Sequence, residues 1–488
     1  MYAPICKALA EHTAKNYIKF HTGSRASMTA GAGAGAGVGE GAGAGLGGGM
    51  PNDFRAWDFT ELPGLDDLHC PTGVILEAQN LAAEAFGADR TFFSVNGSTA
   101  AILALVLGSC KRGDTLVVDR GSHKAVCNAL VLADVKAVFV DVVWEDDIAV
   151  MADAKVFLDA ALATQAVGVL VTRPHYYGSA ADLTVLAQGL HAVGKFLLVD
   201  EAHGAHFGFH PLLPRAALQF GADGVAQSAH KTLGALNQTA FLHVKGKLLD
   251  ADRIGQALSM VQTTSPSYPL LASLDYSRAW LEKEGVKRYE ELIRATAFFW
   301  ERLRPPFRMA YTAAMQDPTR LAIRTEGLDG NAVAAALREE FGIQVEMSEP
   351  RYVICIAVPG DEQALMTLAE SLNQLVGTTA GAAAAGGAVG AAAAMARPKH
   401  AGAASPHSSH SSHSSHSPLD LRAAFYAKHA RVAAMDAVGK VSGEFVTPHP
   451  PGVPLLCPGE IISEETAQLI CDIISSKITI IDDGGRHE

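Results

Sequence analysis

Between residues 51 and about 290, short apolar runs alternate with helix-like patterns, and this alternation restricts the fold more than any other feature of the chain. The runs are "TFFSVN", "TLVVD", "KAVFVDV", "AVGVLVT", "KFLLVD" and "GVAQSAH"; between them lie segments such as "STAAILALVLGSC" and "SHKAVCNALVLA". Short apolar strands separated by helices predict an α/β domain with a mostly parallel sheet. In such sheets ligands gather at the carboxyl ends of the strands. The polar residues at those ends are therefore the candidates for a site.

Two tracts frame the modules. Residues 30–50 form a Gly/Ala tract, and residues 376–417 hold a second one followed by "SPHSSHSSHSSHSP". Neither has a periodic apolar face, so both are expected to be insertions or linkers. The His-Ser repeat has nothing to fix a ligand geometry, so no metal site is assigned to it. Residues 1–29 then make an N-terminal arm, 51–290 the large domain and 418–488 a short C-terminal module. Residues 291–375 make a small α+β domain, with "RLAIRTE" and "RYVICIAVP" as strands and "GNAVAAALREEF" and "DEQALMTLAESLNQL" as helices.

The formal net charge of −12 argues against a nucleic-acid binder, which would show a basic surface. The seven cysteines are dispersed, with no CxxC pair, which fits a reducing compartment better than a disulfide framework. No long uninterrupted apolar run predicts a membrane span. The N-terminus lacks a signal-peptide core and reads as an amphipathic helix. A cytoplasmic location is expected, with a plastid or other organelle as the alternative if the N-terminus is incomplete.

Four strand ends carry chemistry. In "FFSVNGSTAAILALVL" a strand gives way to a helix at Ser98 and Thr99, whose first-turn N–H groups suit a phosphate; the alternative is that Ser98 simply caps the helix. "TLVVDRGSHKAV" places His123 at the start of another helix, where a histidine is more often structural than catalytic unless it has partners. "KFLLVDEAHGAHFG" ends an apolar strand in Asp200, followed by Glu201, Ala202, His203 and His206. A carboxylate there is costly unless it meets a cation. A metal site competes, but Glu201 should point away from Asp200 and no further carboxylates complete a shell. "DGVAQSAHKTL" runs a strand into Ser228, His230 and Lys231, and a lysine in a desolvated pocket can form an imine. Together these parts match the needs of pyridoxal 5'-phosphate (PLP): an anion cradle, a flat histidine, an aspartate for the ring nitrogen and a lysine for the aldehyde.

The ordered motifs "TELPGLDDLHCPTGVILEAQNLAAEAFGADRTFFSVNGST", "DRGSHKAV", "TRPHYYG", "VDEAHGAHFGFH", "QSAHKTL", "TTSPSYPLLASLDYSR" and "HPPGVPLLCPGEII" resemble the Orn/Lys/Arg decarboxylase family, the group III, fold-type I PLP-dependent enzymes. The length resembles the short, arginine-decarboxylase-like members. The resemblance implies decarboxylation of arginine, lysine or ornithine to the corresponding amine, feeding polyamine synthesis. It implies Lys231, Asp200 and His123 as catalytic residues: Lys231 holding the cofactor's aldehyde, Asp200 on the ring nitrogen, His123 stacked on one ring face. Ala202 would pack near the other face, Ser98, Thr99 and Ser228 would lie around the phosphate and His230 beside the imine, and His203 is a further cofactor-binding candidate. Thr264 and Ser265 would reach a neighbouring subunit's site, which implies a homodimer or larger. Asp66, Asp67 and Glu460 are candidates for the substrate's distal cation, each of them equally a structural cap or surface charge.

The chain also departs from the family. Relatives carry Pro-Gly-His-Lys after the N-terminal helix, whereas "KFHTGSRASM" runs past His21 and Thr22 into Gly/Ala sequence. The motif "PTYYG" of relatives is here Pro174-His175-Tyr176-Tyr177-Gly178. The first departure motivates one rival reading, a non-catalytic paralogue that keeps the fold as a regulatory or partner subunit. Another fold-type I enzyme, an aminotransferase or aldolase, is a second rival, disfavoured by the C-terminal motif.

Overall fold

In a computed structural model of the chain, residues 2–14, 54–376, 420–448, 454–473 and 476–482 are described. The Gly/Ala tract at 30–50, the stretch around His21, nearly all of the 376–417 linker with its His-Ser repeat, and part of the "HPPGVPLLCPGEII" motif lie outside the described residues. The chain forms two compact units, one of Met1–Gly108 with Glu201–Tyr289 and the other of Ser109–Asp200 with Glu290–Glu488.

In the first unit three strands run in the order Arg90–Ser94, Ala240–Val244, Gly224–Gln227, the middle one antiparallel to both neighbours. Ala240–Val244 is not among the expected strands; it returns antiparallel only a short way after the Lys231 segment, without a crossover helix. A chain of buried polar groups crosses these strands. Glu201 accepts from the Ala217 backbone N–H at 2.9 Å and from Gln227 Nε2 at 2.8 Å. Gln227 Oε1 lies 3.1 Å from His243 Nε2, and His243 Nδ1 lies 2.8 Å from Thr91 Oγ1. Burial pushes His243 down to about 3, so its ring is neutral and donates one N–H while accepting one O–H. The N-terminal helix Pro4–Ala14 is tied down where the Ile5 N–H donates to Asp275 at 2.9 Å.

The second unit holds the parallel strands, in the order Phe196–Asp200, Gly168–Thr172, Thr115–Asp119, Lys136–Val140, with helices such as Lys124–Ala133 and Ala154–Ala163 between them in the chain. These four parallel strands carry the expected α/β class. A four-stranded antiparallel sheet joins Phe307–Met309, Arg320–Thr325, Tyr352–Ile356 and Met347–Glu349, with helices Gly330–Phe341 and Glu362–Leu375. The C-terminal residues build a small core from Val446, Leu456, Ile462, Ile470 and Ile478 around the antiparallel pair His429–Ala433 and Lys477–Ile481.

The second unit's packing joins segments that are far apart in the chain. Ile148, Val150 and Tyr177 share one core with Ala310, Ala322, Tyr352 and Ile354. The turn between strands Val143–Glu145 and Ile148–Val150 carries Asp146 and Asp147, both at positive φ. Asp146 receives Arg308 at 2.7 Å and Arg324 at 2.6 Å, and Asp147 receives Arg324 at 3.0 Å and also Arg351. Apolar burial and a charge network thus bind residues from before and after the chain segment of the first unit.

Candidate active site

The first unit assembles a cluster around Lys231. Strand Gly224–Gln227 ends at Ser228, which opens the short helix Ala229–Thr232 and so presents Lys231 one turn further on. Lys231 Nζ lies 3.0 Å from His203 Nε2, within hydrogen-bond distance. His230 Nδ1 is 3.0 Å from the Thr239 carbonyl. Burial, and after it the charge of Lys231, hold His230 below the ordinary histidine value despite that contact, which keeps the ring neutral at pH 7.

Ser228 Oγ donates to Ser98 Oγ at 2.7 Å. Ser98 lies in the first turn of helix Gly97–Ser109, and Gly97 stands at φ +74°, a conformation that glycine adopts without strain. Thr99, next to it, is exposed. Two hydroxyls at an open helix N-terminus, with an amine three residues beyond one of them, suit an anion joined to a carbonyl compound. Ala202 is buried, following Glu201 whose carboxylate turns into the polar chain described above. Thr264 and Ser265 are exposed on the loop between helices Ala251–Val261 and Tyr268–Arg302. His69 bridges Ser259 Oγ and the Thr263 carbonyl, at 2.7 and 2.8 Å, and fixes the start of that loop.

The second unit holds Asp200 and His123. Asp200 ends strand Phe196–Asp200 and is 4% exposed. His123 is exposed and caps helix Lys124–Ala133, its Nδ1 accepting the Ala125 N–H at 3.2 Å. That contact engages one ring nitrogen.

Two proposed substrate carboxylates have other work in this structure. Asp66 accepts backbone N–H groups of Thr72 at 2.9 Å, Gly73 at 2.8 Å and Ile75 at 3.0 Å, capping the approach to helix Val74–Phe86. Against the cost of burial, these bonds hold its carboxyl below the usual range. Glu460 forms a two-pronged ion pair with Arg120, at 2.5 and 2.8 Å. Both carboxylates thus have contacts within the chain. Asp67, half-buried, accepts the His69 N–H at 2.8 Å.

Sequence reading passed over Arg120 and Asp119, and met His175 only as a departure from the family's "PTYYG". Arg120 follows the strand Thr115–Asp119 inside "DRGSHKAV", and its only local signal is a cation at a buried strand end. Asp119 and His175 form a buried pair, Oδ2 to Nε2, at 2.6 Å. Burial opposes a charged ring at His175, but Asp119 outweighs it and raises the pKa. Among the described residues, no group of three or more His, Cys, Asp or Glu side chains is placed to hold a metal ion. No helix among them is long and apolar enough to cross a membrane.

A family model described as "Orn/Lys/Arg decarboxylase, major domain" matches residues 3–309, and one for the C-terminal domain of the same family matches residues 409–475. The chain is 34% identical over 445 residues to an arginine decarboxylase of Bacillus subtilis, covering 86% of this chain and 87% of that one. It is 34% identical over 498 residues to an arginine decarboxylase of Bacillus anthracis, covering 96% and 92%. The fold matches the structure of the constitutive lysine decarboxylase of Escherichia coli with a TM-score of 0.77 at 20% identity, over 99% of this chain and 82% of that one.

Proposed function

Since the chain belongs to the Orn/Lys/Arg decarboxylase family, we propose that it is a PLP-dependent decarboxylase of basic amino acids, with arginine as the first substrate to test. Arginine comes first because relatives bearing that name align over most of both chains. One observation carries the reading: Ser228 meets Ser98 at a helix N-terminus, and Lys231, three residues after Ser228, meets the imidazole of His203.

The donor set fits the cofactor. Ser98, Thr99 and Ser228, with the first N–H groups of helix Gly97–Ser109, would hold its phosphate, and Lys231 its aldehyde. Asp200 would keep a proton on the ring nitrogen, and a buried carboxylate at a strand end is suited to that cation. His123 would stack on the ring, with Ala202 on the side opposite. When bound, PLP supplies the electron sink that lets a carboxylate leave an amino-acid carbon.

The chain's own residues orient and protonate. His203, beside Lys231 Nζ, would take up or return a proton at that amine as substrate enters and product leaves. His230, neutral through burial, adds no positive charge next to the lysine. A homodimer or larger, in which Thr264 and Ser265 reach the neighbouring subunit's site, is part of the proposal. So is a cytosolic location, which the seven free thiols support. The amine product would feed polyamine synthesis.

The test is direct. Purified protein given PLP should acquire a visible absorption that borohydride abolishes and that the Lys231→Ala variant lacks. Carbon dioxide should then be released from carboxyl-labelled arginine, lysine or ornithine, with Asp200→Ala losing most of the turnover. Cofactor binding without carbon dioxide release from any of the three would favour the non-catalytic paralogue, and wild-type turnover in Asp200→Ala would overturn the assignment of that residue.

A further inference from the structure

We propose that Arg120 is a positioning residue through which the C-terminal segment holds His123 in place for the cofactor. The inference rests on the proposed stacking role of His123.

Arg120 lies directly after strand Thr115–Asp119 and three residues before His123. Its side chain is 7% exposed, and its partner Glu460 is 12% exposed. Nη1 and Nη2 donate to the two Glu460 oxygens, Nε donates to the Pro454 carbonyl at 3.3 Å, and Nη2 also reaches the Leu455 carbonyl at 3.4 Å. The guanidinium lies over the Phe139 ring, 5.3 Å from its centre. Glu460 is held in turn by the Cys457 N–H at 2.7 Å. A planar fork bound to a carboxylate and two carbonyls has one orientation, which a lysine at this position would not reproduce.

The backbone between Arg120 and His123 transmits that orientation. The Arg120 N–H donates to the Val140 carbonyl at 2.8 Å, the Gly121 N–H to Asp119 Oδ1 at 2.9 Å, and the Ser122 N–H to the Asp119 carbonyl at 3.0 Å. Thr172 Oγ1 donates to Ser122 Oγ at 3.1 Å. The C-terminal segment also grips the helix that His123 caps. Cys457 contacts Cys127 in its middle, and Arg422 Nη1 donates to the Val131 and Leu132 carbonyls at its end, at 3.0 and 3.2 Å. His123 is exposed and caps this helix through its Nδ1, so the loop and the helix that carry it bear on where the ring sits. An aromatic ring held before its ligand arrives forfeits less entropy on stacking.

The experiment is a double-mutant cycle on PLP binding to the full-length apoprotein, read by absorption and fluorescence titration. Glu460→Gln keeps the shape of the pair and removes its charge. It should weaken PLP binding about tenfold, and by less than about twofold in a His123→Ala background. Arg120→Lys, which keeps the charge and loses the fork, should behave alike and serves if Glu460→Gln does not fold. Near-ultraviolet circular dichroism reports which variants fold. Equal losses in both backgrounds, or unchanged PLP affinity in a folded single variant, would overturn the proposal while leaving the decarboxylase reading intact. An unchanged affinity in His123→Ala alone would overturn it by removing the stacking role.

Discussion

Glu349 offers a test of the second unit's energetics. It ends strand Met347–Glu349, is 6% exposed, and accepts the Tyr177 hydroxyl at 2.8 Å. Burial pushes its carboxyl from 4.5 up to about 7, against the pull of Tyr177 and Arg351. A raised folded-state value means that the native protein binds this proton more tightly than the unfolded chain. The contribution is fully present below about pH 4.5, where both states are protonated, and is lost as pH rises through about 7. The difference of roughly 2.5 pH units, at about 1.4 kcal/mol each, corresponds to a loss on the order of 3 kcal/mol. Glu349→Gln keeps an acceptor for Tyr177 and cannot ionise. It should match the wild type at pH 4.5 and exceed it by about 3 kcal/mol at pH 8. Native-state hydrogen exchange at strand Tyr352–Ile356, paired with both Met347–Glu349 and Arg320–Thr325, reads this locally. A wild-type minus variant difference that stays constant between the two pH values would refute the reasoning.

Two further substitutions follow from the first unit. Asp66→Ala removes an acceptor from a run of backbone N–H groups and places alanine at φ +68°, which together should cost about 2–3 kcal/mol in urea unfolding at neutral pH. Because the Asp66 carboxyl is held below its ordinary value, the difference from wild type should shrink as pH falls below about 3.8. Glu201→Ala strands the buried Ala217 N–H and the Gln227 amide and should destabilise by about 3 kcal/mol, seen as a lower thermal midpoint; an unchanged midpoint would mean the polar chain contributes no net stability.

Elements with a strong local signature were legible without a structure. "TLVVD" is strand Thr115–Asp119 and "GNAVAAALREEF" is helix Gly330–Phe341, because apolar periodicity and an Asp cap are written within a dozen residues. Ala240–Val244 escaped because its partners, Arg90–Ser94 and Gly224–Gln227, are named only by the antiparallel register. The core joining Ile148 and Tyr177 to Tyr352 likewise has no trace in chain order.

Site residues followed the same rule. Lys231, Ser228, Ser98 and Asp200 could be named because each sits at the junction of an apolar run and a polar turn, a local feature, and because the ordered motifs around them identify the family. By itself the sequence determined the α/β class, the strand ends and the residue types that PLP chemistry needs. Tertiary structure alone decided which side chains meet: Lys231 with His203 across 28 residues, Ser228 with Ser98 across 130, and Arg120 with Glu460 across 340. It also decided that Asp66 caps a helix approach and that Glu460 is held by a buried arginine. The physical reason is one of range. Backbone propensity and periodicity act over a few residues, whereas a hydrogen bond or ion pair needs two groups within about 3 Å, a condition that only strand order and core packing impose.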